Sequence, residues 1–294
     1  PITIIRQPSS LKTTIAMNGD RIMVTDTVQQ IGNSIVQHGH LNRRVYVIRL
    51  SRDDIPDIIL SLDALAEKEG YSKIFVKVPE SSRAIFTNAG YAMEAAVPSF
   101  YQGQENAVFM AKYPDPQRMI VTDPQRIADV LSVAFGYIQN DYTPQLPPGF
   151  SLMHPPLSDA EEMAVLFRSV FETYPFPTFD PDFITASMKE GVRYFCIRQS
   201  KRIVAIASCE INVDAQNAEM TDFVTDPQFR GRGLSANLLH AMEDEIKRED
   251  IRLAYTIARA NSYPINITFA RGGYEYGGML PNNTNIGGTI ESMN

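Results

Sequence analysis

Residues 226–243, DPQFRGRGLSANLLHAME, put two glycines and two arginines in a short turn and then run straight into an apolar helix. The residues before it, over 217–225, read as a strand. A strand that enters such a turn and then a helix leaves several N–H groups unpaired at the helix start, with the positive end of the dipole behind them. That arrangement suits an anion. Gly231 and Gly233 allow positive φ and close approach, Arg230 and Arg232 add charge, and Leu234, Leu238, Leu239, Met242 and Ile246 bury the helix's other face. The plain structural alternative is an ordinary strand-to-helix turn with solvated arginines. A Walker loop needs Gly-Lys-Ser/Thr, which is absent, and a dinucleotide loop should follow the first strand of a repeated βαβ array. This turn follows an antiparallel meander, read as strands over 192–198, 202–213 and 217–225.

Around the turn, the second half of the chain opens with SDAEEMAVLFRSVFETYP, where Ser158 and Glu161 have the spacing of a capping box. After the helix that follows the turn come a strand in RLAYTIARA (252–260), a short helix and a final strand pair. The proline-containing stretch AKYPDPQRMIVTDPQR (111–126) reads as a connector, followed by an amphipathic helix over 126–139 that bridges the halves. Before it lies a second αβ pattern. Ile55, Ile58, Ile59, Leu62 and Leu65 recur at helical spacing up to Gly70. A buried strand KIFVKV, a helix over 80–89 and strands near 92–101 and 106–112 follow.

A shift of 183 residues places IFTNAGY, ending at Tyr91, on ITFARGGY, ending at Tyr274, and Val97-Pro98 on Leu280-Pro281. The halves therefore share a fold by duplication. The last strand stops short of its counterpart, so the natural chain is expected to continue past Asn294. The shifted position of the glycine turn, around 45–52, has no glycine, so the N-terminal half is expected to bind no such anion.

Composition narrows the function classes. The chain has 294 residues, 44% of them hydrophobic, and a net charge of −7, which disfavours nucleic acid and leaves cationic small molecules as ligands. No apolar run approaches the ~18 residues of a spanning helix, so no membrane partner is expected and the cytoplasm is the default location. Cys196 and Cys209 read as buried reduced thiols, and the four histidines have no ligand spacing, so no metal is expected.

The segment VTDPQFRGRGLSANLL resembles the acyl-CoA signature of the GNAT superfamily, Arg/Gln-x-x-Gly-x-Gly/Ala, with Ser235 a small departure in the last position. The resemblance covers about 150–294. It implies that backbone amides over Arg230, Gly231, Arg232, Gly233, Leu234 and Ser235 grip the CoA pyrophosphate and that Phe223, Val224 and Thr225 pair with the pantetheine arm. A fuller resemblance rests on VQHGHLNRRVYVIRL, EGYSKIFVKVP, AEMTDF, YTIARA and NNTNIGG, which occur in the same order in the β-lysine N6-acetyltransferases of bacteria and methanogenic archaea. It implies acetyl-CoA as cosubstrate and acetylation of the terminal amine of a small diamino acid to give Nε-acetyl-β-lysine, a compatible solute.

An alkyl ammonium of pKa about 10.4 must lose its proton before it attacks a thioester, which at pH 7 costs roughly 4 to 5 kcal/mol. Glu219 is the candidate base, eleven residues before Arg230, at the spacing of the glutamate in GNAT histone acetyltransferases. A solvated strand carboxylate or a structural ion pair is the alternative. Asp222 projects to the other face of a regular strand, unless a bulge redirects it toward the amine. Many GNAT enzymes carry a tyrosine acid where this chain has Phe269, and Tyr263 and Tyr276 read better as packing residues. A thiol of pKa about 8.5 leaves tolerably without a dedicated acid. Arg259 is a candidate for the substrate carboxylate, with a structural salt bridge as its equal alternative. Tyr174, in the loop 172–181, is expected at the pocket wall, Asn261 and Asn266 near CoA, and Asn283 near the substrate.

The reading is an α+β protein of tandem GNAT-like architecture: a degenerate domain over 1–113, a linker and bridging helix over 114–149, and a working acyltransferase domain over 150–294. The acceptor alternatives are lysine, a polyamine or a protein amine, and the alternative from another class is a non-catalytic CoA sensor. Homodimerisation is one use for the first half.

Overall fold

The computed structural model describes residues 15–18, 21–138 and 142–294. Strands β1 (Ile15–Asn18) and β2 (Arg21–Val24) form an antiparallel hairpin. The N-terminal sheet comprises β3 (Thr27–Ile31), β4 (Ser34–Gly39), β5 (Arg44–Arg49), β6 (Lys73–Pro79), β7 (Ala92–Tyr101) and β8 (Glu105–Lys112), ordered β3-β4-β5-β6-β8-β7. β5 and β6 run parallel, and α1 (Ile58–Glu69) crosses between them before stopping at Gly70; α2 (Arg83–Asn88) links β6 to β7. The near-continuous apolar runs of β5 and β6 reflect burial on both faces. Val45, Val47, Ile74 and Val76 pack toward Ile58 and Leu62 of α1. Tyr46, Phe75 and Phe109 face the other way, into a cluster shared with Tyr255, Leu280 and Met293 of the second half.

The connector begins with a 3-10 turn over Pro116–Met119 and continues into α3 (Pro124–Phe135), whose Asp123 caps the Arg126 N–H at 3.1 Å. The helix ends at Phe135 rather than near 139; Gln139 itself lies outside the described residues. Ile127, Val130 and Ala134 form its buried face.

The second half contributes β9 (Phe150–Met153), α4 (Ala160–Val170), α5 (Pro181–Lys189), β10 (Arg193–Gln199), β11 (Arg202–Asn212), β12 (Asn217–Thr225), α6 (Leu234–Arg248), β13 (Leu253–Tyr255), α7 (Tyr263–Arg271), β14 (Leu280–Ile286) and β15 (Thr289–Met293). Its main sheet is ordered β9-β10-β11-β12-β13, and β14 and β15 form a hairpin beside it. Three expectations change. Ser158 sits in a 3-10 turn and caps nothing; Asp159 holds the cap position, and Glu161 pairs instead with Arg168 at 2.8 Å. Helix α5 was not foreseen, because the proline-rich segment before it masks its start. The strand expected over 252–260 pairs with β12 only as far as Tyr255. Beyond it the chain swings to the other hairpin, where Ala258 and Asn294 exchange N–H to C=O bonds of 2.8 and 2.7 Å.

The duplication is visible as pseudo-two-fold packing. Phe86 stacks edge-on against Tyr91 at 5.3 Å, and Phe269 against Tyr274 at 4.9 Å. Asn217 donates to the Phe100 carbonyl at 3.0 Å, and Arg44, its counterpart in the parallel pair, donates to the Asn283 carbonyl at 2.6 Å. On the axis Ala95 bridges antiparallel to Gly278, its own duplicate. A Cβ at Gly278 would lie 2.4 Å from the Glu94 carbonyl oxygen and 2.8 Å from the Ala95 Cβ. The shift of 183 does not hold at the glycine turn, since the helix after it starts at Leu234 and its counterpart α1 at Ile58, an offset of 234 − 58 = 176. The counterpart of the turn is therefore 50–57, one stretch later than expected and also free of glycine.

Candidate active site

β12 outruns its parallel partner, and the site grows from that mismatch. Pairing stops at Glu219 opposite Tyr255, while β12 continues to Thr225. Thr256 Oγ1 donates to the Met220 carbonyl at 2.8 Å and closes the apex of the wedge. Beyond it, among the described residues, the edge of β12 has no strand beside it on that side, so its peptide groups can pair with an extended ligand.

The glycine turn lies at the far end of β12. Asp226 caps the 3-10 turn over Pro227–Phe229 by accepting from the Gln228 N–H at 2.9 Å. Gly231 and Gly233 have φ of 77° and 73°, and a Cβ on either would meet no atom within 4 Å. Conformation rather than crowding thus selects glycine here, and the space above the turn stays open. The first bond into α6 runs from the Asn237 N–H to the Gly233 carbonyl at 3.2 Å, so the preceding amides carry the unpaired positive end of the helix. These residues fit a diphosphate. Phe223, Val224, Thr225, Arg230, Gly231, Gly233, Leu234, Ser235 and Phe269 all line one cavity of about 1870 Å³, whereas Arg232 stacks on Phe229 at 5.6 Å outside it.

Three carboxylates line the same cavity near the wedge apex: Glu210 on β11, and Glu219 and Asp222 on β12. Tyr255 donates to Glu219 Oε2 at 2.7 Å. Lys77, from the N-terminal sheet, donates to the Tyr255 hydroxyl at 3.1 Å and stands 3.7 Å from Glu219. Burial works against charge on Lys77, but the oxygens of Tyr255, Tyr46 and Glu219 outweigh it and raise its pKa. Asp222 sits at a bulge with φ of 56°, which turns it inward to accept from Tyr174 at 2.9 Å and Ser208 at 2.6 Å. Desolvation raises its pKa against those two bonds. Glu210, opposite Glu219 across the strands, is raised by desolvation and by the charges of Glu219 and Asp222. Its side chain keeps solvent contact, so the like charges rather than enclosure sustain that shift.

The remaining candidates are placed as follows. Arg259 lines the cavity but is clamped by Glu291 through bonds of 2.8 and 2.5 Å. Asn266 pins the start of α7 through the Arg259 and Ser262 carbonyls and lies off the cavity, as does Asn261, whose carbonyl accepts from Arg126. Tyr174 is buried, with its hydroxyl on Asp222, and Asn283 is buried at the wall shared by the halves. Tyr263 lies under Arg126 and Tyr276 against Phe135, both away from the cavity. Sequence reasoning missed Glu210, Lys77 and Tyr255. Strand pairing with Glu219 would point to Glu210 and Tyr255, but nothing local marks Lys77.

Residues 160–271 match the model of the Acetyltransferase (GNAT) family. The chain is 36% identical to a β-lysine N(6)-acetyltransferase of Methanococcus maripaludis, over 92% of this chain and 97% of that protein. The chain belongs to the GNAT acetyltransferase family. It is also 31% identical to a β-lysine N(6)-acetyltransferase of Methanosarcina mazei, over 81% of this chain and 95% of that protein, and 30% identical to the N-acetyltransferase YodP of Bacillus subtilis, over 89% and 94%. It is an N-acetyltransferase of mixed α+β fold in tandem arrangement. Among the described residues no helix is long and apolar enough to cross a membrane, and no cluster of three His, Cys, Asp or Glu residues is placed to hold a metal.

Proposed function

We propose that this acetyltransferase moves the acetyl group of acetyl-CoA to the terminal amine of β-lysine, giving Nε-acetyl-β-lysine for use as a compatible solute. The reading is carried by the position of Glu219, a carboxylate at the last paired residue of β12 and β13, where the wedge for the thioester arm begins. Glu219 takes a proton from the incoming ammonium, directly or through one water, and Glu210 and Asp222 make the surroundings favourable to a cation. The neutral amine attacks the thioester carbon, the C–S bond breaks as the thiolate departs, and the surplus proton on the new amide nitrogen passes to solvent or to that thiolate. Phe269 stands where a proton donor is common in relatives of this fold, so the thiolate leaves unprotonated or takes its proton from solvent. The names of the two archaeal relatives support the acceptor.

The test is thiol release from acetyl-CoA with β-lysine, α-lysine and spermidine as acceptors. The expected outcome is a kcat/KM for β-lysine at least tenfold above the others; equal rates or a preference for spermidine would refute the acceptor assignment. Glu219→Gln separates the base from the fold, because it should keep CoA binding and lose turnover.

A further inference from the structure

Two arginines are buried where the halves meet, and they differ. Arg118 is fully engaged: Nε donates to the Asn282 carbonyl at 2.6 Å, and the terminal nitrogens to Ser72 Oγ and the Asn42 carbonyl at 2.8 Å each. It does not line the cavity. Arg44, 3% exposed, does line it. One terminal nitrogen donates to the Asn283 carbonyl at 2.6 Å and Thr284 Oγ1 at 2.9 Å, and the other reaches Gln37 only at 3.5 Å. Its Nε has no partner, and among the described residues no carboxylate lies within ion-pair distance of it. Burial lowers the Arg44 pKa, with Tyr46 and Asp26 opposing only in part. Unlike Arg118, Arg44 combines an unsatisfied N–H with the absence of a counter-anion, a costly state that a bound carboxylate would relieve.

The adjoining residue has the complementary deficit. Asn283 is 1% exposed and lines the same wall, and its side-chain Oδ1 has no hydrogen-bond donor. An unpaired donor on a cation thus stands beside an unpaired neutral acceptor, one from each half of the chain. The path from there to the reacting end is short: the Arg44 guanidinium lies 4.9 Å over the Tyr46 ring, and the Lys77 ammonium lies 5.7 Å from that ring and 3.7 Å from Glu219. Arg259 is already neutralised by Glu291 and has no such deficit.

We infer that Arg44 and Asn283 form the subsite for the amino-carboxylate end of the acceptor. The guanidinium takes the carboxylate, the Asn283 carboxamide oxygen takes an N–H of the nearby ammonium, and the distal amine extends past Tyr46 to Glu219. Both unpartnered atoms sit just beneath the cavity wall, so binding turns the two side chains toward the ligand. The inference rests on the diamino-acid reading above. It makes the N-terminal half the part of the enzyme that distinguishes an amino acid from a plain diamine.

The test compares β-lysine with 1,4-diaminopentane, the same diamine without its carboxylate. The wild-type enzyme should prefer β-lysine. Arg44→Gln should cut the ratio of the two kcat/KM values by about ten- to a hundredfold, through KM for β-lysine, and leave KM for acetyl-CoA unchanged. Arg44→Lys should restore part of the ratio, since it keeps the charge but not the planar fork. Asn283→Asp covers the case in which removing Arg44 impairs folding. It supplies the missing counter-anion and so keeps the melting temperature, yet it competes with the substrate carboxylate, so turnover of β-lysine should fall relative to the diamine, whose ammonium the new carboxylate still accepts. Equal losses for both acceptors, or a wild-type enzyme indifferent to the carboxylate, would overturn the subsite. Activity on α-lysine in place of β-lysine would instead overturn the proposed acceptor alone, and the same ratio would then be read against 1,5-diaminopentane.

Discussion

At matching places in their sheets the two halves carry Tyr46 and Glu219, each two residues into the parallel strand pair. Downstream, one half runs through Asp54-Ile55-Pro56-Asp57 and the other through Arg230-Gly231-Arg232-Gly233. The N-terminal turn has three aspartates, at 53, 54 and 57, at the start of its helix, and Asp54 is tied by 2.5 to 3.1 Å bonds to Ser34 and Asn33. A helix start with that charge repels a phosphate, whereas the other half leaves its amides open to one. The contrast teaches that the strand-crossover-strand frame is indifferent to chemistry. A few residues at one strand end and one turn decide which half offers unpaired amides to an anion.

The comparison breaks most severely at the carboxylate. Glu219→Gln is expected to lower kcat by about 10² to 10⁴-fold with CoA affinity unchanged, and full activity would remove Glu219 from the chemistry. Next comes the turn. Gly233→Val forces a branched residue to positive φ at a cost of about 1 to 3 kcal/mol and should raise KM for acetyl-CoA more than about tenfold, while the corresponding Asp57→Val should leave that KM where it was. Calorimetry should then count one CoA per chain; a second equivalent would mean the aspartate-rich turn binds after all.

Smaller effects sharpen the electrostatics. Lys77→Met removes a cation 3.7 Å from Glu219 and the donor to the Tyr255 hydroxyl, and should lower kcat by about three- to tenfold while KM for acetyl-CoA stays unchanged. Glu210→Gln removes the carboxyl paired across the strands from Glu219 and should lower kcat by a smaller factor. An unchanged kcat in both variants would sever the chemistry from this cluster. Phe269→Tyr should change kcat by less than about threefold, because a thiol already departs readily.

Local pattern made much of this legible. The strand over 217–225, the glycines of the turn and the apolar stripe of α6 announce one another within 30 residues of chain, and Gly70 marks the end of α1. Features that depend on packing were not legible. Lys77 meets Tyr255, and Arg44 meets Asn283, across long separations in sequence that no periodicity encodes. Asp222 was ambiguous for a related reason, since its direction is set by a bulge rather than by its place in the alternation. Ser158 and Glu161 had the spacing of a cap, but the chain enters α4 through a 3-10 turn that leaves both elsewhere.

The bridge between Ala95 and Gly278 has a further consequence. In an assembly of two identical chains, a residue on the axis must fit against itself, and two alanines at this spacing would collide. Covalent linkage lifts that demand: one copy keeps a methyl group and the other gives it up. The same release from self-complementarity extends to every position along the seam, which is how the two lobes are free to diverge while only one keeps the glycine turn.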